Sequence, residues 1–298
     1  MKRNRIRNSA EDRVFSFIAY TLATLALIIT LYPLLYCISA SFSDPMEVVK
    51  GNVILLPQKP TLMAYQAVAK NKSMFTGYVN TIFYTVLGTS LNLIMTIAAG
   101  YPLSKRDFRG RGGITFLFTL TMFFSGGMVP NFLLIKNLEM YNSIWALLLP
   151  GCVSAWNLVI MRTYFQTSIP EEICESAYID GCSNISTLLR IVLPLSMPII
   201  AVMVIFYGVG HWNSYFSALL YLKDRDKYPL SLVLREILLQ GMGQEKSGAE
   251  VVDSVADLLL FETLKYAVII VSSVPMLILY PALQRYFVKG TMVGSLKG

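Results

Sequence analysis

Hydrophobic and polar positions in this chain fall into long blocks rather than a short alternation. Six runs contain no Asp, Glu, Lys or Arg: residues 14–43, 73–104, 112–135, 140–161, 191–222 and 266–284. A bilayer crossing needs about 20 predominantly apolar residues, so each run, the shortest with its flanks, is long enough for a transmembrane helix. The first run is too long for a signal-peptide core and lacks a small-residue cleavage signal after it, so it counts as a span. A β-barrel would show short alternating segments instead. The expectation is an all-α integral membrane protein with six transmembrane helices in one domain, residues 14–288.

Within the third run, Ser125, Gly126, Gly127 and Pro130 weaken regular helix geometry, which predicts a kink or a close helix contact. Two longer connections interrupt the bundle. The first, residues 44–72, carries Pro45, Pro57 and Pro60 and should be extended, with a short helix around 62–69. The second, residues 223–262, holds apolar-patterned segments at 230–239 and 251–261 separated by Gly241 and Gly243, consistent with short helices.

Charge sets the orientation. Lys2, Arg3, Arg5, Arg7 and Arg13 precede the first span, and Lys105, Arg106, Arg109 and Arg111 follow the second. The positive-inside rule places both segments in the cytoplasm. Alternation then makes segments 1–13 and 289–298 cytoplasmic and connections 44–72 and 223–262 external. The 55% hydrophobic and 14% charged composition agrees with a multi-pass membrane protein. The formal charge of +7 and pI near 9.1 suit an anionic inner leaflet. No basic recognition element points to nucleic acid.

Residues 168–194 form the most structured connection. Ser168, Pro170, Glu171 and Glu172 supply a possible hydroxyl cap, a proline where a missing N–H costs little, and carboxylates at the positive end of the helix dipole. Gly181 can stop that helix in a left-handed conformation, and Ser183 can cap a second short helix that Pro194 interrupts. Ile169, Ile173 and Ala177 can form one apolar stripe suited to docking on another protein, while Glu171, Glu172, Glu175 and Asp180 surround it with charge. The alternative is an amphipathic helix on the lipid surface, against which its acidic character argues.

Catalytic and metal chemistry find little support. Cys174 and Cys182 are eight residues apart, which is not a zinc spacing, and no nearby histidine completes a set. No Ser–His–Asp spacing is apparent, and the six runs lack the coupling acids usual in a secondary transporter. The phosphate-binding pattern Gly-x-x-x-x-Gly-Lys-Ser/Thr is absent, so this chain should not hydrolyse ATP alone.

The structured connection resembles the EAA loop of importer-type ATP-binding-cassette permeases, in which EAA is followed by three residues, Gly, nine residues and Ile-x-Leu-Pro. Glu175, Ala177, Gly181, Ile191, Leu193 and Pro194 match in register, and Ser176 replaces the first alanine. Asp180, the segment His211-Trp212-Asn213-Ser214-Tyr215-Phe216, the following Ala218 to Leu222 and the ending Gly294-Ser295-Leu296-Lys297-Gly298 are similar to the carbohydrate-uptake subgroup. That subgroup includes the smaller maltose-permease subunit and aldouronate-type oligosaccharide permeases. The resemblance implies type I importer architecture, with a cytoplasmic coupling helix set in a cleft of a nucleotide-binding subunit. It further implies a second homologous permease, two copies of an ATPase subunit that bind ATP and Mg, an extracytoplasmic solute-binding protein, a carbohydrate substrate, and a bacterial cytoplasmic-membrane location. The chain itself needs no cofactor and is not an enzyme. An amino-acid or peptide permease would share the EAA loop, and a self-contained secondary transporter is the other alternative.

Sugars need hydrogen-bonding groups and flat apolar faces. His211, Trp212, Asn213 and Tyr215 form the best candidate cluster for a substrate pathway, with Asn80 and Tyr84 secondary. Asn92, Trp156 and Asn157 have the same residue chemistry, but amides within spans commonly serve helix packing. His211 has a comparable structural explanation, an interior hydrogen bond.

Overall fold

The computed structural model describes the backbone of residues 10–246 and 255–295. Residues 1–9 of the expected N-terminal segment, 247–254 of the second external connection and 296–298 of the tail lie outside the described residues. Every regular element among the described residues is helical. The main helices are α1 (Ala10–Ser41), α2 (Lys72–Ser104), α3 (Arg111–Phe123), α4 (Met128–Asn137), α5 (Ala155–Ser168), α6 (Glu171–Ile179), α7 (Met197–Trp212), α8 (Tyr215–Tyr221), α9 (Leu230–Lys246) and α10 (Val255–Ser295).

Among the described residues, three helical stretches are individually long and apolar enough to cross a membrane: Glu11–Ser41, Lys72–Ser104 and Leu259–Leu279. Two further candidate spans are bent pairs. The α3–α4 pair turns by 117°, and Asn184–Leu195 meets α7 at 83°. The first bend lies at the Ser125–Gly127 break, as the kink expectation held. The close-contact alternative does not fit that site, because a Cβ on Gly126 would meet nothing nearer than Asn131 Oδ1 at 4.0 Å. The 140–161 run is not one helix. It contains Trp145–Leu148, a turn through Pro150 and Gly151, and then the start of α5, where Ser154 Oγ accepts from Asn157 N.

The chain packs as two units. One joins Met1–Asn71 to Ile237–Val271, and the other joins Lys72–Glu236 to Ser272–Gly298. In the first, serines at the end of α1 organise the external connection: Ser39 Oγ donates to Leu55 O at 2.5 Å, and Ser43 Oγ accepts from Gln58 N at 3.0 Å. Glu47 accepts from Asn52 and Lys59, and the expected short helix is Met63–Lys70. Tyr36 meets Tyr266 edge-on, with ring centroids 5.6 Å apart.

The second unit is built around α2. Its buried face runs through Gly77, Thr81, Tyr84, Gly88, Asn92, Thr96 and Gly100, at intervals of three or four residues, while Phe75, Val79, Phe83, Val86 and Ile94 point outward. Small and polar residues inside with apolar ones outside is the expected arrangement where the surroundings are lipid, because interhelical packing and hydrogen bonds favour that face. Helices α5 and α7 pack on it. Close approach is required at Gly88, where an added Cβ would stand 2.5 Å from His211 Nε2.

Polar side chains join the three helices. Asn92 Nδ2 donates to Gly151 O and Cys152 O at 2.7 and 2.9 Å, supplying the carbonyls freed by the break before α5. Thr96 Oγ1 and Tyr207 OH share a 2.7 Å hydrogen bond, and Tyr207 OH also accepts from Ser154 N.

Candidate functional site

The 168–194 connection folds as two helices about a glycine corner. α6 starts after Pro170, which has an extended backbone and no side-chain cap, so Ser168 does not take the capping position. The helix ends in a Schellman arrangement: Cys182 N donates to Ala177 O at 2.9 Å and Gly181 N to Tyr178 O at 3.0 Å. Gly181 has φ +80, with open space around the position of a Cβ. Backbone conformation, rather than crowding, therefore selects glycine there. Ser183 then accepts from Ser186 N and starts the short helix Asn184–Thr187.

Pro194 does not stop the chain where expected. A π-helical turn, Leu188–Val192, precedes it, and the helical path continues through Leu193–Leu195 to a bend at Ser196. The missing proline N–H and the bulk of its ring are accommodated by widening the preceding turn, a known alternative to a break.

Burial reverses the expected docking stripe. Ile169 and Ala177 are buried, with Ile169 in a cluster containing Tyr101, Phe165, Val192 and Met203; only Ile173 is exposed. The apolar residues left outside are Tyr178, Ile179, Ile185 and Leu189, which are 77%, 83%, 70% and 57% exposed. Of the EAA-pattern residues, Glu175, Ser176, Asp180, Gly181 and Pro194 are exposed, while Ile191 and Leu193 are half-buried. Ser176 Oγ donates to Glu172 O at 2.9 Å, so its hydroxyl is satisfied within α6. Arg106 faces Glu171 at 3.8 Å across a solvent-exposed gap.

The pathway candidates separate into two groups. Trp212 is buried: its Nε1 donates to Ser272 O at 3.1 Å, and its ring meets Tyr78 edge-on at 5.9 Å. His211 is held by Asn92. Asn80 Nδ2 donates to Asp226 O and Tyr228 O at 2.7 and 3.0 Å, and Tyr84 OH donates to Lys227 O at 2.9 Å. Leu230 N donates to Thr81 Oγ1 beside them, so this segment of α2 holds the 226–230 backbone. Asn213 and Tyr215, at the break between α7 and α8, remain exposed.

Two contributors escaped the sequence reading. Asn142, with φ +58, accepts from Lys223 N and Asp224 N through Oδ1 and donates to Asp224 Oδ2, tying the 223–228 segment to the start of the fourth hydrophobic run. The Asp224 carboxyl lies below its ordinary range because Lys227 and Asn142 donate to it. Arg235, a lone cation in the apolar 230–239 pattern, has its guanidinium carbon 5.8 Å from the Tyr215 ring centre. Its isolation among apolar positions was the available sequence signal.

This architecture has close counterparts. Polygalacturonan/rhamnogalacturonan transport system permease protein YtcP of Bacillus subtilis (strain 168) is 38% identical over 288 residues, spanning 97% of this chain and 100% of the relative. Protein LplC of the same organism is 40% identical over 270 residues, covering 91% and 90% of the two chains. A solved structure of a bacterial ABC transporter involved in the import of the acidic polysaccharide alginate superposes with TM-score 0.86 at 33% identity, covering 95% of this chain and 99% of that one. The model for the binding-protein-dependent transport system inner membrane component matches residues 92–293, from the Asn92 junction through the glycine corner and on into α10. The chain belongs to that family of transport-system membrane components.

Proposed function

We propose that this chain is a permease subunit of an ATP-driven oligosaccharide importer in the bacterial cytoplasmic membrane, with acidic plant or microbial oligosaccharides the favoured cargo. The carbohydrate reading is supported by the names of the relatives and of the alginate transporter, together with their coverage of nearly the whole chain. Six spans with both termini inside remain the topology, counting the broken 140–161 run and both bent pairs as crossings. A second permease would complete the pathway, two ATPase subunits would bind ATP and Mg, and a solute-binding protein would deliver cargo.

The observation that carries the coupling role is the division of surfaces in residues 169–193. Ile169, Ala177 and Val192 anchor the knuckle to its own bundle, whereas Tyr178, Ile179, Ile185 and Leu189 leave an apolar face unfilled. An ATPase cleft covering that face would transmit closure through the anchored side into α5 and α7, biasing a two-state bundle. Glu175, Asp180 and Gly181 shape the corner, and Ile191, Leu193 and Pro194 connect it to the span.

The test is copurification of the full complex followed by binding-protein-stimulated ATPase and sugar uptake in proteoliposomes. The reading requires a nucleotide-binding partner to copurify and uptake to need ATP. Uptake by this chain with no ATPase present would favour a secondary transporter, and uptake of peptides instead of sugars would favour the other permease class.

A further inference from the structure

The geometry points to Arg235 as a determinant of preference for carboxylated sugars, with Tyr215 as the platform that holds its guanidinium; this rests on the oligosaccharide reading above. Arg235 approaches the face of Tyr215, with 5.8 Å between the guanidinium carbon and the ring centre. The two residues come from different elements: Tyr215 starts α8 just after the break at Asn213 and Ser214, and Arg235 lies in α9.

An arginine stacked on an aromatic ring keeps its planar fork of N–H donors available at the edge, and that fork matches a carboxylate. Neighbouring acids do not occupy it. Glu236, the adjacent carboxylate, pairs with Arg225 at 3.7 Å, and Asp224 receives Lys227 Nζ at 2.9 Å. Among the described residues, the Tyr215 ring is the sole partner recorded for Arg235. The helix break leaves Asn213 and Tyr215 exposed beside this cation. Aromatic surface, amide and unneutralised guanidinium are the groups needed to hold a uronate: a flat face for its C–H surface, a polar contact for hydroxyls and a fork for the carboxylate.

A merely structural cation–π contact makes a different prediction, so sugar charge is the discriminating variable. The complete importer in proteoliposomes would be supplied with trigalacturonate or its methyl ester, using wild type, Arg235→Gln and Arg235→Lys. Removal of one charge-assisted contact predicts a roughly ten- to hundred-fold fall in trigalacturonate uptake for Arg235→Gln. Ester uptake should match wild type at whatever level wild type shows, and Arg235→Lys should retain more acid uptake than Arg235→Gln. Unchanged acid uptake in Arg235→Gln would overturn the assignment, as would an equal loss of acid and ester or equal losses in the two variants. Uptake of neither sugar by the wild-type complex would overturn the acidic-oligosaccharide reading itself, and the role of Arg235 with it.

Discussion

His211 Nε2 lies 2.6 Å from Asn92 Oδ1, across the interface between α7 and α2. Because Asn92 Nδ2 already serves two carbonyls, Oδ1 is the acceptor and His211 carries its proton on Nε2. One amide thus holds α2, α7 and the turn before α5. Asn92→Ala would strip three groups of partners, each costing about 1–3 kcal/mol when left unsatisfied, though not additively. A lower unfolding midpoint in detergent is expected. Gly88→Ala should also destabilise, by about 1–3 kcal/mol from overpacking against the same imidazole. Combining it with His211→Ala should cost less than the sum of the single changes; simple additivity would refute the close contact as the cause.

Gly181 gives a cleaner separation of conformation from packing. Its φ of +80 penalises any L-residue, yet no atom lies within 4 Å of a Cβ there. Gly181→Val should therefore strain the corner by about 1–2 kcal/mol without disturbing the bundle. Gly181→Asn should be milder, since asparagine tolerates this region better. ATPase stimulation should fall more for valine than for asparagine while both proteins retain similar unfolding midpoints.

The exposed and buried apolar residues of the knuckle should respond oppositely to charge. Ile179→Asp and Ile185→Asp lie at open surface positions, where substitutions usually change stability by no more than about 0.5 kcal/mol. They should abolish copurification of the ATPase from an otherwise folded complex. Ala177→Asp buries a charge and should instead reduce the yield of folded chain. Retained ATPase binding by the Ile179→Asp, Ile185→Asp double variant would remove this face as the docking site.

That contrast also shows where sequence reasoning reached its limit. Periodicity identified Ile169, Ile173 and Ala177 as one face, but periodicity does not say whether a face meets the chain's own bundle or a partner. Gly181 and Ser183 were legible because their roles are local: a left-handed corner and a cap involve only nearby backbone. The Asn80 contacts reach residues 146 and 148 positions away, so no local pattern reveals them. Polar residues within spans signalled candidates for cargo contact, and folding assigned Asn80, Tyr84, Trp212 and His211 to structural hydrogen bonds first. The broken 140–161 run had its signal in Pro150 and Gly151, although composition alone allowed a continuous crossing.

The 223–228 segment should be insensitive to pH through the physiological range. Hydrogen bonds from Lys227 and Asn142 lower the folded-state pKa of Asp224 below its ordinary 3.8. Its contribution is therefore complete above the unfolded value and disappears only as pH falls through the lowered one. Hydrogen exchange of this segment, corrected for intrinsic rates, should show the same protection at about pH 5 and pH 8. Asn142→Ala should lower protection at both pH values, because two backbone N–H groups lose their acceptor.

Asn80 and Tyr84 test whether polar residues in α2 serve cargo or loop position. Both amide hydrogens of Asn80 and the phenol of Tyr84 are committed to carbonyls of residues 226–228. Asn80→Leu should remove those hydrogen bonds, and Tyr84→Phe should remove one while preserving the ring. If their work is positional, both variants should expose the 226–230 amides to faster exchange and reduce uptake of acidic and neutral oligosaccharides by similar factors. Tyr84→Phe should cost about 0.5–1.5 kcal/mol in local stability, the usual net value of one hydrogen bond. A selective loss of one sugar with unchanged amide exchange would instead place these side chains against the cargo. The expected opposite pattern for Arg235, selective loss with the loop intact, makes the two experiments mutual controls.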